Sequence, residues 1–137
     1  MPDDSLLLHV RDGEVVDQGA WIYAWLHDGR VVHLGATALH PATRSWLHLN
    51  DPNPDVGRIG MRYPNAKNVA FDVVALLLPP DVSRPEARQA AIAEAVSRNL
   101  LSDAYVGFDP TDDDFSPAAL EQGRKLCDLI AARVTQA

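Results

Sequence analysis

The chain has 137 residues, 47% of them apolar and 23% charged, which is enough for a single globular domain (1–137) with its own core and too few for two. A net charge of −7 argues against a general electrostatic grip on nucleic acid, and the lone cysteine, Cys127, excludes an internal disulfide. The longest apolar run, Val73 to Pro80, cannot span a bilayer, and the one behind Asp3 and Asp4 is too short for a signal core; no membrane partner and a reducing, cytoplasmic setting are expected.

In chain order, "LLLHVRDGEVV" reads as two strands joined at Asp12-Gly13, and "WIYAWLHDGRVVHLG" as two more joined at Asp28-Gly29, because Asp-Gly between apolar runs is a strong hairpin signal. Trp21, Tyr23 and Trp25 alternate with Ile22, Ala24 and Leu26, so this strand should be central and covered on both faces. A polar loop follows Gly35, then a helix opening at Pro41 and running to about Leu49. Residues 50–68, rich in Pro, Asn and Gly, read as a long irregular connection.

"VAFDVVALLL" is expected as a buried strand ended by Pro79-Pro80. Ser83 and Glu86 open the next helix as a capping box. "VGFDPTDDDF" is a surface connection whose Asp112, Asp113 and Asp114 lack the spacing of a calcium loop and suit the start of a helix. The last helix starts at Ser116-Pro117 and sends Leu126, Ile130 and Val134 toward the core. The fold class is therefore α/β (α+β): a small central mixed sheet with hairpins, flanked by helices.

Charge is unevenly placed. From His27 to Lys67 there are five bases (Arg30, Arg44, Arg58, Arg62, Lys67) against three acids (Asp28, Asp51, Asp55), so this segment carries +2 and the remainder −9. Any face for a polyanion should come from here, with Arg58, Arg62 and Lys67 as its wall.

Ile22-Tyr23, a tight hairpin, His33-Leu34-Gly35, then Gly35-x-Thr37, Pro41-x-x-Arg44 and His48 resemble the GIY-YIG nuclease family. The resemblance covers residues 20–101 and leaves an N-terminal hairpin (1–19) and a C-terminal helix (116–135) as additions. It implies metal-dependent hydrolysis of nucleic-acid phosphodiester bonds, DNA first among substrates, with one Mg²⁺ or Mn²⁺. Tyr23 would be the general base on water, with its phenol pKa lowered by neighbouring cations. Arg44 would hold the phosphate, His48 would orient or protonate, and His33 would stand in for a second tyrosine. Thr37 would line the substrate, and Glu94, in "AAIAEAVSRNL", would ligate the metal.

The chain departs from the family pattern at Trp21 (usually Gly), His33 (usually Tyr) and Ala36 (commonly Lys), and it lacks the family's later asparagine. The alternative is thus a catalytically degenerate domain of this fold acting as an interaction module for nucleic acid or a protein partner. Simpler roles exist for each residue: Tyr23 as a core aromatic, Arg44 and His48 as a solvated helix face, and Glu94 as the i,i+4 partner of Arg98. In favour of Glu94, its helix neighbours Ala87, Ala90 and Ala91 are small enough for close packing that would turn the carboxylate inward. A zinc site is a third description, since His27, His33, His40 and His48 crowd one segment, although their spacings match no standard ligand set.

Overall fold

The computed structural model describes residues 10–12, 14–15, 19–111 and 113–136. Its first hairpin pairs β1 (Val10–Arg11) with β2 (Glu14–Val15). Leu6 to Leu8 and Gly13 of the expected hairpin lie outside the described residues, as does Asp112.

The second hairpin joins β3 (Trp21–His27) to β4 (Arg30–Thr37). Asp28 and Gly29 both take positive φ, 50° and 75°, the pairing whose twist matches the flanking strands and which the Asp-Gly dipeptide tolerates best. A register shift between Trp25 and Leu26 marks a bulge in the hairpin. β5 (Asp72–Leu77) pairs antiparallel with the other side of β3, giving a three-stranded sheet in the order β4-β3-β5. The central position of β3 is what its doubly apolar pattern requires.

The named strands are all antiparallel. Among the described residues one isolated bridge, Val31 to Leu101, is parallel, and the mixed character of the sheet is confined to that point. Asn99, at φ 57°, turns the chain out of the preceding helix, and the segment beyond it then runs beside β4. Val31 N–H donates to Leu100 O (2.9 Å), Ser102 N–H to Val31 O (2.8 Å) and Val106 N–H to Val32 O (2.8 Å). That edge is covered, whereas β5 is an edge strand with Val73 and Leu77 exposed, and not the buried strand its sequence suggests.

The two faces of β3 carry separate cores. On one face Ile22, Ala24 and Leu26 pack with Val31 and Leu34 against α3 (Arg84–Ser97) and α4 (Pro117–Gln136). Leu126 and Ile130 of α4 are fully buried there; the side chain of Val134 lies outside the described residues. The helices meet closely at Gly123, where an added Cβ would stand 2.9 Å from the backbone of Ala90 and Ala91.

On the other face Tyr23 and Trp25 pack with Val32, Ile59, Ala66 and Phe71 beneath α1 (Pro41–Asn50) and α2 (Arg58–Arg62). The connection at 50–68 is therefore partly ordered, holding α2 and a 3-10 turn at Ala66–Asn68. Among the described residues no helix is long and apolar enough to cross a membrane.

Candidate functional site

Alternation on β3 sends Tyr23 and Trp25 to the face away from α3 and α4. Across the ladder Tyr23 is opposite Gly35 and Trp25 is opposite His33. Gly35 is needed here for space: a Cβ would lie 2.5 Å from Tyr23 Oη and 2.8 Å from His33 Nε2. From above, α1 delivers His48, fully buried, one helical turn past Arg44.

Tyr23 Oη and His48 Nε2 are 2.5 Å apart, a buried hydrogen bond between the phenol and the imidazole. His33 packs edge-on to His48, ring centroids 4.6 Å apart, and lies 5.7 Å from the Tyr23 ring. Nδ1 of His33 and Nδ1 of His48 have no hydrogen-bond partner among the described residues.

Three arginines surround this floor. Arg44 donates from Nη1 to Val56 O at 2.8 Å and acts on Tyr23 by charge and hydrogen bonding. Arg58, from α2, and Arg88, from α3, each set their guanidinium carbon 4.0 Å from the centre of the Phe108 ring. Both guanidinium groups are thus gathered on one aromatic ring. Tyr105 donates to Phe108 O at 2.8 Å and fixes the turn that presents the ring.

Burial governs the titration of this cluster. It pushes the Tyr23 phenol up to about 12 in spite of Arg44, Arg58 and Arg88, which all pull it down. The expected lowering of the Tyr23 pKa is therefore overturned, and the phenol stays protonated at neutral pH. Burial, reinforced by Arg44 and Arg58, holds His48 down at about 3. His33 lies well below its usual value for the same first reason, with His48 and the arginines adding to it. Arg58 and Arg88 are both lowered, by burial first and then by a neighbouring arginine.

No family model, curated protein or solved structure matches the chain. Its site is described by its own geometry.

Of the residues singled out in the sequence, Tyr23, His33, Arg44, His48 and Arg58 come together. Glu94 does not. It accepts from Arg98 Nε at 2.7 Å, and Arg98 reaches on to Asp128 of α4 at 2.9 Å. The small residues Ala90 and Ala91 do allow close packing, but against Gly123 of α4, on the opposite side of the sheet from Tyr23. Arg62 is tied to Asp55 at 3.0 Å and to Pro54 O at 3.0 Å, bracing its own loop. Thr37 Oγ1 accepts from Leu39 N–H at 2.9 Å, a turn cap, and Lys67 is exposed on the 3-10 turn.

A Mg²⁺ or Mn²⁺ ion of the kind the resemblance implies does not fit these residues. The carboxylate meant for it is already neutralised by Arg98, and the charges acting on Tyr23 are all arginines. Among the described residues no group of three or more His, Cys, Asp or Glu is placed to hold a metal. The four histidines also fail to gather: His27 bonds Ala70 O at 3.1 Å, and His40 caps α1 by accepting from Ala42 N–H at 3.1 Å.

Arg88 and Phe108 are the site residues that sequence reading overlooked. Arg88 is one base on an ordinary helix, and Phe108 sits in a segment whose sequence reads as a surface connection. The only local hint is a large aromatic in a Gly- and Asp-rich loop.

Proposed function

We propose that this chain is a catalytically degenerate GIY-YIG-like domain that binds nucleic acid through its phosphates. The observation that carries the reading is the gathering of Arg44, Arg58 and Arg88 around Tyr23, while Glu94 is spent on Arg98 behind the sheet. Guanidinium forks suit phosphate oxygens, and half-buried ones attract an anion more strongly than solvated ones do. The protonated Tyr23 phenol, held by His48, supplies a rigid neutral floor and no base for water. Hairpin, helix, strand and helix follow in the order the resemblance implies, which supports the kinship of the fold.

Binding of single-stranded, nicked and branched DNA, followed by fluorescence anisotropy, tests this directly. Arg44→Gln and Arg58→Gln should each weaken binding about tenfold, the scale of one charge-assisted phosphate contact, with the fold intact by circular dichroism. Unchanged affinity in both variants sinks the proposal.

A metal-dependent endonuclease is the second reading, favoured by the meeting of Tyr23, Arg44 and His48. Incubating the same panel with Mg²⁺ or Mn²⁺ separates the two. Cleavage that disappears in Glu94→Gln would restore the enzyme, and intact substrates throughout would leave the binding module.

A further inference from the structure

We infer that the arginine cluster selects a terminal phosphate monoester, at a strand end or on a small phosphorylated ligand, over an internal phosphodiester; this deepens the phosphate-binding reading above and rests on it. An internal phosphodiester carries one negative charge, whereas a monoester carries close to two at neutral pH and offers three equivalent oxygens. Three guanidinium groups acting on one small buried floor match the second better than the first.

The surroundings point the same way. Away from the cluster, several cations are engaged by carboxylates: Arg62 with Asp55, Arg98 with Glu94 and Asp128, Lys125 with Glu121, and Arg133 with Asp72. With a net charge of −7 the chain has little to hold a line of successive phosphates.

Nor does the site offer a platform for bases. Phe108 is already engaged by Arg58 and Arg88, each 4.0 Å from its centre, so it is not a free ring for a nucleobase. Recognition is left to the charged group itself. The carboxylates that act on the cluster are few: Asp55, which is committed to Arg62, acts on Arg58, and Asp109 acts on Tyr105. Nε of Arg58 is buried with no hydrogen-bond partner among the described residues, so this guanidinium is not saturated by the protein.

The decisive measurement compares one fluorescent single-stranded oligonucleotide carrying a 5′-phosphate with the same strand ending in a 5′-hydroxyl, and adds adenosine 5′-monophosphate as competitor. The phosphorylated strand should bind about tenfold more tightly or better, with a log–log salt slope of about one to two, as for few neutralised phosphates. Arg88→Gln should bring the two strands to parity. Phe108→Leu, which frees both guanidinium groups, should do the same and serves if the first variant does not fold.

Equal binding of the two strands by the unaltered protein overturns the monoester preference while leaving phosphate binding in place. Competition by the mononucleotide at comparable affinity supports the preference and assigns it to the terminal nucleotide without the chain behind it. If the mononucleotide binds and neither strand does, the monoester site stands and the nucleic-acid reading falls; if nothing binds, both fall.

Discussion

The Tyr23–His48 bond couples two polar groups that the fold has removed from water, so its worth shows in how unequally its partners can be lost. Tyr23→Phe leaves His48 Nε2 buried without a partner and should cost about 1–3 kcal/mol in urea unfolding. Adding His48→Leu to that variant removes the stranded nitrogen and should recover part of the loss; a further loss of the same size would mean that His48 contributes independently of the phenol. Gly35→Ala is the companion case. Alanine in a strand ordinarily gains over glycine by roughly 0.5–1 kcal/mol. Here the added carbon meets Tyr23 Oη and His33 Nε2, so the change should instead lower stability by about 1–3 kcal/mol, read as a fall in Tm. Local spacing made it legible that Arg44 and His48 share a helix face, whereas their meeting with Tyr23 was implied by the family resemblance alone. Arg88 and Phe108 meet only through the tertiary fold, and no local rule reports that.

At the level of elements, α3 shows where sequence rules hold and where they stop. Ser83 caps the helix by accepting from Glu86 N–H at 3.4 Å, as its position suggests. The returning half of the capping box is replaced: Glu86 accepts from Ser116 Oγ at 2.7 Å, and Ser116 Oγ in turn accepts from Ala119 N–H at 3.2 Å. Glu86 therefore ties the start of α3 to the start of α4. Glu86→Gln should cost on the order of 0.5–1 kcal/mol in chemical denaturation, since an amide still reaches the hydroxyl but loses the charge. Glu94→Gln loses a pair that is partly exposed on both sides and should cost less than about 1 kcal/mol, with no change in phosphate binding. A larger effect on binding than on stability would place Glu94 back at the site. The alanines beside Glu94 announced close helix packing without saying which partner would approach, and α4 took that face. The hairpin turns were readable in advance because φ > 0 selects Asp and Gly. The edge position of β5 was not, since apolar content alone does not distinguish an edge strand from a central one.

For the molecule as a whole, the two buried histidines set the response to acid. Both have folded pKa values below the unfolded value of 6.5, so the unfolded chain takes up protons that the native state refuses. The stability this provides is complete above pH 6.5 and is lost as pH falls, down to about 3 for His48. Well below pH 6.5 His48 removes about 1.4 kcal/mol per pH unit, about 2 kcal/mol in all by pH 5, and His33 adds to the loss in the same direction. Relief of self-repulsion in a chain of net charge −7 would push the other way as the pI near 5.0 is approached, but it is spread over the surface and is weaker. Unfolding free energy should therefore fall from pH 7 to 5, more steeply below pH 6.5, and His48→Gln should make that fall shallower. A flat profile would mean that these rings are hydrated in solution.

The contact of Arg58 and Arg88 with Phe108 also has a mechanical side. Arg58 belongs to the layer above the sheet and Arg88 to the layer below, and both reach a single aromatic ring from the segment that covers the β4 edge. Anything that grips both guanidinium groups fastens the two layers to each other at the rim, like a clasp across a hinge. Amide hydrogen exchange would then slow together in α2 and α3, elements that share no core cluster, and the slowing would spread from the occupied rim inward.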